Sequence, residues 1–350
     1  MKALYLTGKA QVEMREVPVP RCPDDGLLIK IDSVGLCGSD VRTYSVGSAK
    51  ISYPVVLGHE NAGYVEEVGK NAPGDWKVGD KVVANPAIPC GKCYYCVNKM
   101  PGLCDHIQVA GTSFPGGFAQ YMAFPGDMLT RGQIIKLPQD ADLEPMILAE
   151  LLASVVKAQD DLKVGMGETV VIVGSGPIGC LHAQIAKLHG ATTIIMADLN
   201  RERLNKCHSF GGTHFVVSSE EDLVARVMEI TGGRGADVCI VAAPSSKPHQ
   251  QGVELLRKEG RLSLFGGLAK ENPWTTMDGN LIHYKRLRIF GAYSYSAADF
   301  AKGYELLRAG RIDTAIITHQ LPLEQMEDGV RAIQQGEAIK VVLKPWMDVK

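Results

Sequence analysis

The sequence predicts an α/β protein in which a β-rich segment precedes a parallel sheet interleaved with helices. Three observations carry this. Residues 1–150 are dense in Gly and Pro, with short β-branched runs. From residue 150 onward, short continuous apolar runs alternate with stretches of helical spacing. The first of those runs leads into Gly174-Ser175-Gly176-Pro177-Ile178-Gly179, a turn of the kind that joins a buried strand to a helix.

The elements follow in order. Ala62–Val68 alternates and then meets Gly69, and Asp80–Pro86 reads as a strand that stops at proline. Ala149–Asp161 carries apolar residues at helical spacing. Thr169–Val173 is a strand buried on both faces. Further strands are expected at Thr193–Ala197, His214–Val217, Val238–Ala242, Arg261–Phe265 and Leu287–Phe290. Helices are expected at Ile178–His189, Glu221–Thr231 and His249–Lys258. After Gly291 the pattern is mixed, with a helix near Ala298–Ala309 and a last strand near Lys340–Leu343.

The totals narrow the function classes. A chain of 350 residues exceeds the usual size of one hydrophobic core, so two domains are expected. Its formal charge of −2 gives no general attraction to nucleic acid or anionic membrane. No apolar run reaches the length of a bilayer span, and Met1–Thr7 has no signal-like apolar core. Nine cysteines then fit a reducing, cytoplasmic setting better than a disulfide framework.

In the glycine loop, Gly174 allows the turn, Gly176 lets backbone approach a pyrophosphate, and Gly179 lets the helix pack close to the strand. Pro177 and Ile178 open that helix, whose free N–H groups suit phosphate. Asp198 closes the next strand, 19 residues after Gly179. A carboxylate there accepts from ribose hydroxyls and repels a 2′-phosphate, so NAD is expected over NADP. Arg201 and Arg203 lie close enough to complicate that preference. Gly266, with Gly267, either lines the same crevice or is a plain turn.

Cys90, Cys93, Cys96 and Cys104 place four thiols within fifteen residues. Four sulfurs can close a tetrahedral Zn²⁺ site with no open position, which makes the expected role structural. Lys92 and Lys99 are the only basic residues inside the cluster, too few for a nucleic-acid ribbon. Three further elements offer mixed ligands: Cys37 in Gly35-Leu36-Cys37-Gly38-Ser39-Asp40, the pair His59 and Glu60, and Glu150. Mixed S, N and O donors suit a zinc that keeps a position for substrate. Spacing alone does not join these elements, and each has a bland reading as packing, turn or helix-start carboxylate.

Together these motifs, with Val78-Gly79-Asp80-Lys81-Val82, resemble the zinc-containing medium-chain dehydrogenase/reductase (alcohol dehydrogenase) family over essentially the whole chain. Within it, the sorbitol (L-iditol 2-) dehydrogenase branch is the nearest resemblance. The resemblance implies a GroES-like catalytic domain from residues 1–153 and 292–350, with a Rossmann NAD-binding domain at 154–291. It implies two zinc ions per subunit, the catalytic one on Cys37, His59 and either Glu60 or Glu150. It implies that Ser39 receives the substrate proton and that Asp40 braces His59. Arg42 stands where many relatives carry a relay histidine, and Leu151 where many carry proline. The implied reaction is transfer of a hydride from a secondary alcohol, of the polyol class, to NAD; phosphorylated polyols, cyclitols and L-threonine are the alternative substrates. A non-catalytic dinucleotide sensor is the alternative class. The resemblance also implies a homodimer or homotetramer. Tyr44, Phe114 and Tyr293 are implied pocket residues, and Arg42, Lys285 and Arg286 are the candidate partners of a substrate phosphate.

Overall fold

A computed structural model describes residues 1–349. The chain divides into two compact units, Met1–Ala153 with Ser294–Lys350, and Ser154–Tyr293.

The first unit is built on a seven-stranded sheet. Its order is Ile317–Pro322, Lys340–Lys344, Leu27–Leu36, Glu60–Val68, Lys81–Asn85 and Gln133–Lys136, with Tyr121–Phe124 also paired to Leu27–Leu36. Leu27–Leu36 is the axis of the sheet, because its Leu, Ile and Val residues bury nearly the whole strand. Phe118, Phe124, Leu27, Ile29, Ile31 and Met128 fill the core beside it. Register matters here more than topology. Gly35 pairs with Glu60 on one side and with Val342 on the other. That alignment sets the start of one strand and the start of another against the loop that carries Cys37.

The second unit is a six-stranded parallel sheet in the order His214–Val217, Thr193–Asp198, Thr169–Val173, Ala236–Val241, Leu256–Leu264 and Arg288–Gly291. This is the doubly wound order in which ligands bind at the carboxyl ends of the strands where the order reverses. The α/β fold class read from the sequence is the observed one. One expected element differs. The helix placed at His249–Lys258 is only Ser246–Gly252, and a strand begins at Leu256. Val253, Leu255 and Leu256 have helical spacing but are fully buried, and Leu256 pairs with Ala236. Tertiary pairing overrides the local period. Among the helices of the first unit that the sequence reading did not place are Gly38–Val46 and Met326–Gln335.

Candidate active site

Cys37 is the N-cap of the helix Gly38–Val46. Its backbone N–H donates to Asp40 Oδ2 at 3.1 Å, which fixes the loop at the helix start. The other oxygen of Asp40 lies 3.4 Å from His59 Nδ1. A carboxylate on Nδ1 leaves Nε2 as the free face of the ring. Cys37, His59 and Glu60 form one group whose donor atoms all lie within 4.8 Å of one another. Burial opposes a charge on His59, but the carboxylate of Asp40 and the sulfur of Cys37 outweigh it and raise its pKa well above the ordinary value. Anionic surroundings of this kind favour a cation.

Two carboxylates stand at this group, and each has a side-chain partner. Glu60 is fully buried and forms an ion pair with Lys340. Lys340 Nζ also donates to Leu36 O at 3.1 Å. Burial works against the Lys340 cation, but Glu60 and Cys37 overcome it and raise its pKa. Glu60 Oε1 is buried without a hydrogen-bond partner. Gly35 makes the room, since a Cβ there would come within 1.6 Å of the Glu60 carboxylate. Glu150, in the first turn of the helix Leu148–Leu162, accepts from Tyr295 Oη at 2.8 Å through Oε1. Burial raises the Glu150 pKa, His59 lowers it and Glu60 raises it again, for a net upward shift. Tyr295 remains a donor, because burial and the adjacent Glu150 push its phenol well up.

Cys90, Cys93, Cys96 and Cys104 form a second group within the same 4.8 Å limit. Backbone N–H groups of Cys90 and His106 donate to Cys104 Sγ at 3.2 and 3.3 Å, and that of Cys93 to Cys90 Sγ at 3.4 Å. The Cys93 thiol is drawn down to about 6, chiefly by the backbone N–H of Cys96. No disulfide forms among the described residues.

At the dinucleotide loop, Gly174 has φ +110°, open to glycine but strained for other residues. A Cβ on Gly179 would lie 1.9 Å from Gly174 O, whereas one on Gly176 would meet nothing within 4 Å. Gly176 caps the helix Pro177–Leu188, with Pro177 in its first turn and Ile178 following. Asp198 Oδ2 accepts from Ser175 N and Oγ, both at 2.8 Å, and Oδ1 accepts from Asn200 N at 2.9 Å. Arg203 Nη1 stands 3.9 Å from Asp198, and Arg201 is paired with Glu220. Gly266 packs on Ala243, and its carbonyl lies 3.1 Å from His249 Nε2.

Residues 23–139 match the alcohol dehydrogenase GroES-like domain, and residues 177–309 match the zinc-binding dehydrogenase domain. The chain is 35% identical to the sorbitol dehydrogenase of Halalkalibacterium halodurans over 99% of both proteins. The chain belongs to the zinc-containing medium-chain dehydrogenase/reductase family. It is 33% identical to the D-arabitol-phosphate dehydrogenase of Enterococcus avium, over 96% of this chain and 95% of that one. A structure described as a zinc-binding dehydrogenase of Sinorhizobium meliloti bound to NADP superimposes with a TM-score of 0.91, at 27% identity, over 98% of this chain and 99% of that one. The protein is therefore a zinc-dependent, NAD(P)-linked alcohol dehydrogenase.

Within this dehydrogenase the structure brings Cys37, Asp40, His59 and Glu60 together, with Glu150 beside them. Ser39 is exposed on the same helix as Asp40, with Arg42 one turn later. Other expected residues are engaged elsewhere. Tyr44 donates to Glu327 at 2.5 Å, and Phe114 packs against the core of the first unit. Lys285 donates to Leu256 O at 2.7 Å, and Arg286 pairs with Glu259 at 3.0 Å. Sequence reasoning missed Lys340 and Tyr295. A lysine opening the apolar run Lys340-Val341-Val342-Leu343 was the available signal, because a buried lysine needs a partner. Tyr295 carried none.

Proposed function

We propose that this protein oxidises a secondary hydroxyl of a polyol to a ketone, with NAD as hydride acceptor and two zinc ions per chain. The observation that carries this reading is the compact Cys37/His59/Glu60 group, with an anionic surround and an orphaned carboxylate oxygen. Thiolate, imidazole and carboxylate are the donor set of a zinc that exchanges water or substrate, and the four thiols at Cys90–Cys104 are that of a closed structural site. Bound at the first group, zinc supplies a Lewis acid that lowers the pKa of an alcohol's hydroxyl.

The chain's residues do the rest. Cys37 and His59 would hold the catalytic zinc, with either Glu60 or Glu150 as the remaining protein ligand. Asp40 holds the His59 ring by Nδ1. Ser39 takes the hydroxyl proton and passes it toward solvent. Arg42 stays protonated and takes no part as a base. When bound, NAD would supply the hydride acceptor that turns the carbinol into a ketone, and the hydroxyl proton would leave through Ser39. Gly174, Gly176, Pro177, Ile178 and Gly179 would hold the cofactor's pyrophosphate at the helix N-terminus. Asp198 binds the ribose and Gly266 lines the crevice. Pairing of Arg201 with Glu220, and of Arg203 with Asp198, supports NAD, since both cations are engaged near the ribose position.

Likeness to a sorbitol dehydrogenase supports a polyol substrate. The engagement of Lys285 and Arg286 supports an unphosphorylated one. Likeness to a D-arabitol-phosphate dehydrogenase, with exposed Arg42 near Cys37, favours a phosphorylated polyol as the second reading. The strand Arg288–Gly291 ends the parallel sheet with an open edge, and half-exposed Ile289 lies on it. That edge supports a homodimer, or a tetramer built from it. Free cysteines support a cytoplasmic setting; no described helix is long and apolar enough to cross a membrane.

The test is NAD reduction by zinc-replete protein against sorbitol, xylitol, iditol, phosphorylated polyols, simple secondary alcohols and L-threonine, with and without chelator. Chelator-sensitive turnover, highest on a free polyol and lost in Cys37→Ala, is expected. Full turnover by Cys37→Ala would sink the mechanism, and a preference for phosphorylated substrate would select the second reading.

A further inference from the structure

Tyr295 lies outside every motif of the sequence, yet its hydroxyl is the partner of a carboxylate at the metal-binding group. Its place is set from three sides. Ser296 and Asp299 form a reciprocal capping box that fixes the chain just after it, with Ser296 N donating to Asp299 Oδ2 at 2.9 Å and Asp299 N to Ser296 Oγ at 3.3 Å. The helix that follows, Ala297–Arg308, packs on the helix of Glu150 at Gly303. A Cβ there would lie 2.9 Å from Leu152 Cβ and 3.0 Å from Ala149 O. On the third side stands the four-cysteine lobe. Gly102 occupies the turn Pro101–Leu103, between Cys96 and Cys104, and a Cβ on it would come 2.7 Å from Tyr295 O and 3.0 Å from Ser294 Oγ. Ser294 itself holds φ +63°, so the chain at this contact has little freedom.

We propose that Tyr295 is a positioning residue for Glu150, and that the four-cysteine lobe fixes Tyr295 through the close approach at Gly102. The hydroxyl occupies Glu150 Oε1, so that Oε2 would be the oxygen left to meet a metal held at Cys37 and His59. A carboxylate with one oxygen tied meets a metal in a single orientation, and loss of such a tie loosens both orientation and affinity. The structural lobe thereby acts on the catalytic metal, although none of its cysteines belongs to that group.

This inference rests on the assignment of the catalytic zinc to Cys37 and His59, and the test separates the two. Wild type, Tyr295→Phe and Gly102→Ala are prepared with Co²⁺ exchanged into the catalytic site and zinc kept in the four-cysteine site. Visible absorption of the Co²⁺ and its release to a chelator are followed, with NAD binding and far-ultraviolet circular dichroism as controls of folding. In Tyr295→Phe the Co²⁺ bands should shift and the metal should bind about 10–100-fold more weakly, with NAD affinity unchanged. Gly102→Ala should move both readouts in the same direction. Unchanged bands and release in Tyr295→Phe overturn the role of Tyr295. Wild-type behaviour of Gly102→Ala beside an altered Tyr295→Phe overturns the link to the lobe. Wild-type protein that binds metal at the four cysteines alone overturns the site assignment, and this inference with it.

Discussion

Replacing Lys340 by Met tests the electrostatic design of the site most directly. Lys340 is 1% exposed and Glu60 is fully buried, so their ion pair is shielded from water. Met nearly preserves the volume, which makes the loss one of charge and of the hydrogen bond to Leu36 O. Removing one partner of a buried pair leaves an uncompensated charge and costs about 3–5 kcal/mol. Glu150 and Cys37 close by add to that repulsion. For a cooperative unit of this size the cost corresponds to a fall in melting temperature of roughly 6–20 °C. Calorimetric or circular-dichroism melts of chelator-stripped protein measure it. Zinc should recover part of the loss, because a second cation then faces Glu60. The combined Glu60→Gln, Lys340→Met variant should regain at least half of the lost stability, since no buried charge is left unpaired. A single variant melting within about 2 °C of wild type would refute the reasoning, taking ~1 kcal/mol as the smallest shift that matters. So would a double variant no more stable than the single, because the penalty would then not be the stranded carboxylate.

Gly179→Ala should abolish NAD binding while both metal sites stay filled, because its Cβ would sit 1.9 Å from Gly174 O and force the loop open; titration of NADH fluorescence against the variant checks this, and wild-type affinity would refute the close approach. Asp237 offers a pH test in the parallel sheet. Burial acts to raise its pKa, but the Thr169 N–H at 2.8 Å and the Arg257 guanidinium outweigh it and hold the carboxyl below its ordinary value. A depressed carboxyl contributes stability above its unfolded pKa, and that contribution is lost as pH falls through the folded value. Asp237→Asn should therefore cost about 1–3 kcal/mol at pH 7, and the gap from wild type should close below about pH 4. Denaturant melts across pH 3–7 check it; a gap that persists at low pH would contradict the assignment.

The sequence alone determined those parts of this protein that are local along the chain. The glycine loop, its strand and helix, and Asp198 lie within 30 residues, and backbone geometry over such a span follows from residue type. The four cysteines could be read for the same reason, since one short loop supplies every donor. The helix expected at His249–Lys258 shows the limit, because buried strand pairing at Leu256 overrode a valid local period. Tertiary structure decided what depends on register. Cys37, Glu60 and Lys340 come from three strands or their ends, and they meet because Gly35 pairs with both Glu60 and Val342. A shift of one residue in either pairing would turn the carboxylate or the ammonium to the opposite face. Spacing carries no record of that alignment, nor of the packing that brings Tyr295 to Glu150. A buried charge can be satisfied by any chain segment that reaches it, so its partner is chosen by the fold and not by sequence distance.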